Sequence, residues 1–419
     1  MSTAITTDLA RAADEALRAR AAQVVPGGMH GHMKASFLPP NFPQFFERGE
    51  GCRIWDVDGT EYLDLMCSWG PILLGHRHPA VEAAVAAQLA EGDVLNGPSP
   101  RMVELAEVLV DQVAHADWAM FCKNGTDATT LGVTVARSAT GRRKVLVARG
   151  SYHGIGGWSV PHGARGTTPE DHANTVFYEY NDLASLDAAV AEAGAGDVAA
   201  IVVTPIRHDV YRDLELPDPE FARGMRGLCD RIGAALLLDD IRCGLRLDLA
   251  GSWEPLGVRP DLSAWSKCLA NGHPLGVLLG ADSLRDGAAA IFATGSFWMA
   301  AAPMAGALAT LKVLREGDGI ARMRRSGERL MQGLRAQAGA HGLAVAVTGP
   351  PQLPFLTFAG DAQFERATAW AGECGRRGVF LHPTHNWFLS VAHDDEAIDR
   401  VLDATDEAFR AIRERDGAD

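Results

Sequence analysis

The sequence predicts an α/β protein: a mainly parallel central sheet flanked by helices, with a second, smaller domain. Three observations predict it. Short aliphatic runs at Lys144–Ala148, 199–203 and 234–238 read as strands buried on both faces. Helical stretches lie between them, and alternation of strand and helix implies parallel pairing. Finally, 419 residues are many for one domain, so a large domain and a smaller one are expected.

In chain order, residues 1–24 read as a helix that Val25-Pro26-Gly27-Gly28 ends. Residues 47–65 alternate polar and apolar around Asp58-Gly59, a hairpin signature. Helices at 80–91 and 102–113 precede the strand Trp118–Cys122, which runs through Asn124-Gly125-Thr126 into a helix at 129–138. A helix at 221–232 returns the chain to the strand at 234–238. Val277-Leu278-Leu279-Gly280 reads as an edge strand, followed by a helix at 304–315. The C-terminal part carries a helix at 320–339, strands at 344–348 and 355–358, and a closing helix at 396–413.

Charged residues at 22% and hydrophobic residues at 47% describe an ordinary globular enzyme. A net charge of -14 argues against nucleic acid as a partner, and runs such as Arg322-Met323-Arg324-Arg325 read as solvated helix faces. No apolar stretch approaches the ~20 residues that cross a bilayer, and residues 10–25 form a charged Ala/Arg helix rather than a signal peptide. A cytoplasmic protein without a membrane partner is expected. The 7 cysteines lack CxxC or Cys/His ligand spacing, so neither a disulfide frame nor a metal site is indicated.

The strand at 234–238 delivers Asp239 and Asp240 to its carboxyl end, where ligands bind in an open α/β sheet. Lys267 follows in Ser263-Ala264-Trp265-Ser266-Lys267-Cys268. A carboxylate facing a protonated ring nitrogen and a desolvated lysine amine together form the protein half of pyridoxal phosphate chemistry. The same residues also fit a helix cap and a solvated surface lysine. At Asn124-Gly125-Thr126 a strand, a glycine turn and a helix form the geometry that holds a phosphate, although a single Gly-Thr after a strand is a common pattern.

The run from Leu236 through Asp239-Asp240-Ile241-Arg242-Cys243-Gly244, with Pro260-Asp261, Ser266-Lys267 and Asn271-Gly272-His273-Pro274, resembles the class III, fold-type I pyridoxal-phosphate aminotransferases. Within that class it is most similar to the glutamate-1-semialdehyde 2,1-aminomutase branch, over nearly the whole chain. The resemblance implies a large cofactor-binding domain at 71–317. It also implies a small α+β domain built from residues 1–70 and 318–419. Lys267 would be the Schiff-base lysine and proton shuttle, and Asp239 the partner of the pyridinium nitrogen. Tyr152 would stack on the ring, and Gly125 and Thr126 would hold the phosphate. Ser296, in Thr294-Gly295-Ser296-Phe297, would reach the phosphate of a neighbouring subunit, which implies a homodimer. Ser68 and Trp69 would lie across the site mouth and touch substrate; Trp69 as a core residue is the other reading.

The chain departs from the aminomutase pattern in five places. Lys34 stands where the aminomutases keep a carboxylate-binding arginine, and lysine lacks the bidentate fork. The long gating loop after the Tyr152 turn is shortened to residues 155–173. Thr204-Pro205 replaces a glutamate before proline, Arg242 replaces Gln or Met, and His385-Asn386-Trp387-Phe388 replaces a longer acidic stretch. Arg242 would then be either a substrate anchor or a salt-bridge partner of Asp240 or Asp209. A site that does not retain its freed intermediate suits an aminotransferase moving an amino group between a small amine or amino acid and a keto or aldehyde acceptor, by a ping-pong mechanism. An isomerase on the same scaffold, a 2,1-aminomutase or epimerase, and a catalytically silent binding homologue are the other readings.

Overall fold

A computed structural model describes residues 11–39, 42–161 and 163–417, without the side chain of His32. The expected first helix begins outside this range; its described part is Ala12–Val24. Strands β1 (Phe46–Glu50), β2 (Arg53–Asp56) and β3 (Glu61–Asp64) come first. They are followed by β4 (Trp118–Cys122), β5 (Lys144–Ala148), β6 (Thr175–Tyr178) and β7 (Val198–Val203). Next come β8 (Ala235–Asp239), β9 (Leu262–Trp265) and β10 (Gly276–Gly280), and the chain closes with β11 (Val345–Thr348), β12 (Phe355–Phe358) and β13 (Val379–Phe380).

The chain divides into two compact units: Met1–His78, Val210–Leu214 and Ala321–Asp419 in one, Pro79–Asp209 and Glu215–Ile320 in the other. The partition drawn from sequence at 70/71 and 317/318 contains no counterpart of Val210–Leu214. That short excursion joins the first unit through backbone bonds that hydrophobic patterning does not encode: Tyr211 N–H donates to Thr384 O (3.2 Å) and Leu214 N–H to Thr348 Oγ1 (3.0 Å).

The larger unit holds a seven-stranded sheet in the order β4-β10-β9-β8-β7-β5-β6. β5, β6, β7, β8 and β9 pair in parallel, and β10 runs antiparallel to both of its neighbours. The expected edge strand is therefore interior, with all five residues buried, because β4 pairs with its outer side. β7 and β8 are buried throughout. Their side chains alternate: Leu236 and Leu238 enter a core with Phe221 and Trp253, and Leu237 enters the opposite core with Val145, Val147 and Leu278. Helices on both faces are what allow such aliphatic strands to stay folded in water.

In the smaller unit, β13 pairs in parallel with β3, Val379 opposite Leu63, so the two ends of the chain share one sheet of order β1-β2-β3-β13. The Asp58-Gly59 turn joins β2 to β3. Trp370, Trp387 and Phe409 fill the core beside helix Asp395–Asp416. Helix Glu365–Arg376 carries few aliphatic residues and was not legible from hydrophobic runs. Among the described residues, no helix is long and apolar enough to cross a membrane, and no cluster of His, Cys, Asp and Glu could hold a metal.

Gly276, at the start of β10, lies opposite Cys122 and against the turn that opens the helix after β4. A Cβ there would sit 2.6 Å from the Asn124 carbonyl oxygen and 2.9 Å from Cys122 Sγ. Gly276→Ala should therefore displace the Asn124–Gly125 turn and weaken binding of a phosphate-bearing ligand by about tenfold, ~1.4 kcal/mol. Absorbance titration of the cofactor-free protein with pyridoxal phosphate measures this directly.

Candidate active site

One edge of the large sheet collects the ends of five strands that run in the same direction. β4 ends at Asn124–Gly125, β5 at Tyr152 and His153, β7 at Thr204 to His208, β8 at Asp239 and β9 at Lys267. Side chains far apart in sequence are thereby brought to the carboxyl end of one sheet, where helices begin and backbone donors are available.

Helix Gly125–Thr140 starts at this edge with Asn124 as its cap, whose side chain accepts from the Asp127 N–H at 3.0 Å. The amides of Gly125 and Thr126 lie in the first turn, which lacks intrahelical acceptors and carries the positive end of the helix dipole. Thr126 Oγ1 accepts from the Ile155 N–H at 3.3 Å, so its own proton remains available to an anion. Gly125 is constrained by a second contact as well: a Cβ there would meet Ile241 Cδ1 at 2.7 Å. The glycine thus seats the turn after β8 against the turn after β4.

Asp239 is 5% exposed and accepts a 2.7 Å hydrogen bond at Oδ2 from Nδ1 of the buried His153. His153 is held by Thr129, whose hydroxyl donates to its carbonyl at 2.7 Å, and by Trp158, stacked at 6.0 Å between centroids. Asp240 faces elsewhere. It accepts from the Ser252 N–H at 3.0 Å and from the Ser252 hydroxyl. Burial pushes its carboxyl up to about 7, partly offset by those Ser252 bonds. One carboxylate therefore faces the site with a histidine behind it, and the other ties a loop.

Lys267 opens a short 3₁₀ turn after β9. Burial, followed by the Arg242 guanidinium, pushes its amine down to about 7, against an upward pull from Asp239. Arg242 is 8% exposed; burial lowers its pKa to about 10, so it stays charged at neutral pH. Asp240, one of the two salt-bridge partners expected for it, accepts from Ser252; Asp209, the other, pairs with Arg207 at 2.9 Å and also favours the charged form of Arg242, as Asp239 does. His208 is buried in the fields of Arg242 and Lys267, and burial followed by Arg242 holds its imidazole well below the usual histidine range. The ring stays neutral.

Tyr152 is 58% exposed, with its hydroxyl in the field of Arg242. Ser296 is exposed in the segment after helix Arg285–Ala290, near the exposed rings of Phe292 and Phe297. Lys34, Ser68 and Trp69 belong to the smaller unit. There Trp69 packs edge-on against His382 (5.1 Å) and His385 (5.0 Å), and its Nε1 lies 3.2 Å from Met33 Sδ. Cys67, Ser68 and Trp69 all have positive φ, a strained left-handed turn that non-glycine residues rarely adopt. His153 and His208 were missed by sequence reasoning. Their signal was position: each follows a strand that ends on the ligand edge.

The residues fit pyridoxal phosphate: anion donors at a helix start, a buried carboxylate for a ring nitrogen, and an amine with a lowered pKa. Residues 38–400 match the family model described as "Aminotransferase class-III". The chain is 50% identical over 396 residues to an aminopentol aminotransferase from Sphingopyxis macrogoltabida, covering 94% of this chain and 93% of that protein. It is 31% identical over 421 residues to the glutamate-1-semialdehyde 2,1-aminomutase of Anaeromyxobacter sp. (strain Fw109-5), covering 94% and 97%. The solved structure of the PLP internal aldimine form of the Sphingopyxis sp. MTA144 FumI protein superposes with a TM-score of 0.94 at 48% identity, covering 97% of each chain. The architecture is fold-type I, and the chain belongs to the class III aminotransferases, as an enzyme dependent on pyridoxal phosphate.

Proposed function

We propose that this enzyme transfers the amino group of a primary amine to a keto acid or aldehyde in two half-reactions, with Lys267, Asp239 and the phosphate turn as its working parts. The observation that carries the assignment is the meeting of Asn124–Thr126, Tyr152, Asp239 and Lys267 at the carboxyl edge of one sheet. Bound there, pyridoxal phosphate supplies an aldehyde for amine capture and a ring that withdraws electrons from the substrate carbon.

The chain's own residues do the rest. The first-turn amides and the Thr126 hydroxyl would hold the phosphate, and Tyr152 would cover a ring face. Asp239, oriented by His153, would keep a proton on the ring nitrogen. Burial and the Arg242 guanidinium push the Lys267 amine down to about 7, which favours its neutral form more than in an exposed lysine. Once displaced by substrate, it would act as the base that moves the proton from substrate carbon to cofactor carbon. Ser296 would complete the phosphate site of a second subunit in a homodimer; the exposed Phe292, Phe297 and Met299 beside it support burial of that segment.

For the donor we favour a hydroxylated amine, because the aminopentol aminotransferase is 50% identical whereas the aminomutase cited above is 31% identical. The loss of an arginine fork at Lys34 points the same way, since a donor without a carboxylate does not need one. Ser68 and Trp69 are the substrate-side residues in this reading.

Borohydride reduction of the loaded protein followed by peptide mapping should place the label on Lys267, and Lys267→Ala should abolish turnover while the fold persists. A label on Lys144 or Lys312 would sink the assignment. Asp239→Asn should lower kcat/KM by about three orders of magnitude with the cofactor still bound, and Asp240→Asn by less than about tenfold. Equal losses would show that the wrong carboxylate was chosen. An amino alcohol supplied without an acceptor should convert the cofactor stoichiometrically to pyridoxamine phosphate. Steady isomerisation of glutamate-1-semialdehyde without an acceptor would favour the mutase instead.

A further inference from the structure

β8 and β9 are adjacent and parallel, with Asp239 opposite Ala264. Arg242 lies three residues past Asp239, and Lys267 three residues past Ala264. Two neighbouring parallel strands thus release a cationic side chain at the same distance beyond the same rung. The turn carrying Arg242 is fixed: Gly244 N–H donates to Asp240 O at 2.8 Å, and a Cβ on Gly244 would clash with the Trp265 ring. The Ile241 side chain is committed to the contact with Gly125, and Arg242 is enclosed, 8% exposed.

We propose that Arg242 is a positioning residue for amine capture, whose buried permanent charge beside Lys267 keeps the lysine amine in its neutral, nucleophilic form. Two cations enclosed side by side repel each other, and the weaker acid keeps its proton. A guanidinium holds its proton far more tightly than an ammonium, so the lysine gives way.

The other groups facing the lysine fit this role. Arg246, fully buried with Nη2 3.5 Å from Cys268 Sγ, acts in the same direction more weakly, and Asp239 and Cys268 oppose both arginines. His208 adds no charge, since burial first, and then the fields of Arg242 and Lys267, leave it neutral. Cys243, Asp239, Tyr152 and Asp209 face Arg242 and all favour its charged form, and Asp209 also pairs with Arg207. Burial is the larger force on the amine, and Gln or Met at this position would remove the guanidinium's added push. The inference rests on Lys267 being the cofactor lysine.

The test is chemical titration of Lys267 in the full chain stripped of cofactor. Trace acetylation across pH 5–11 and mass spectrometry of the Lys267 peptide give its protonation midpoint without any turnover. The wild-type midpoint should fall near 7. In Arg242→Met and in Arg242→Gln it should rise by about one pH unit or more, leaving roughly tenfold less neutral amine at pH 7. Capture of added pyridoxal phosphate should slow by a similar factor at pH 7 and recover at pH 9. Two substitutions guard against one failing to fold, and the melting curve of each is recorded beside its titration.

A midpoint unchanged within about 0.3 unit in a folded variant overturns the proposal. So does a loss that pH 9 does not restore but that appears as a raised KM only for carboxylate-bearing substrates, which would make Arg242 a substrate anchor. Because the midpoint is read on the peptide, it stands or falls separately from the borohydride label that tests Lys267 as the cofactor lysine.

Discussion

The site depends on one register: β8 paired in parallel with β9, Asp239 opposite Ala264. That pairing fixes where the carboxylate leaves its strand and where, three residues on, the arginine and the lysine leave theirs. Strands that run in the same direction share their carboxyl ends, so the same edge also receives the Asn124–Thr126 turn after β4 and the histidine after β5. A slip of one residue would exchange inward and outward side chains along β8, placing Leu237 on the face of Leu236 and Leu238. The aliphatic cores on both faces forbid this, and so the packing of leucines positions the side chains of the candidate site.

The edge also separates two carboxylates that are adjacent in sequence. Successive strand residues point to opposite sides. Asp239 meets His153 and Asp240 meets Ser252. Buried carboxylates need donors, and each has its own. The imidazole behind Asp239 fixes its orientation from a strand two positions away in the sheet, which is a tertiary device rather than a local one.

In the smaller unit a different constraint operates. The turn Cys67–Trp69 holds three non-glycine residues at positive φ, at a cost of about 1 kcal/mol or more each. Hydrogen bonds from Met66 N–H and Cys67 N–H to Asp64 Oδ1, at 2.8 and 2.9 Å, help to hold it, together with Trp69 wedged among Met33, His382 and His385. The segment that follows β13 supplies those histidines, and β13 itself docks in parallel on β3. A strained turn near the N-terminus is thus supported by the last third of the chain.

By itself the sequence determined the class of fold and the aliphatic strands, and it singled out Asp239 and Lys267 as candidates. These depend on period-two or continuous apolar patterning and on the residue types that pyridoxal chemistry requires. The interior place of β10, the transfer of Val210–Leu214 to the smaller unit, and the roles of His153 and His208 were decided by tertiary structure. Strand order and long-range hydrogen bonds join residues tens to hundreds of positions apart, and no local pattern encodes them. The division of labour between Asp239 and Asp240 lies between the two. The sequence placed both at a strand end, and only their partners in space, one a histidine on the ligand edge and the other a serine in a loop, gave them different work.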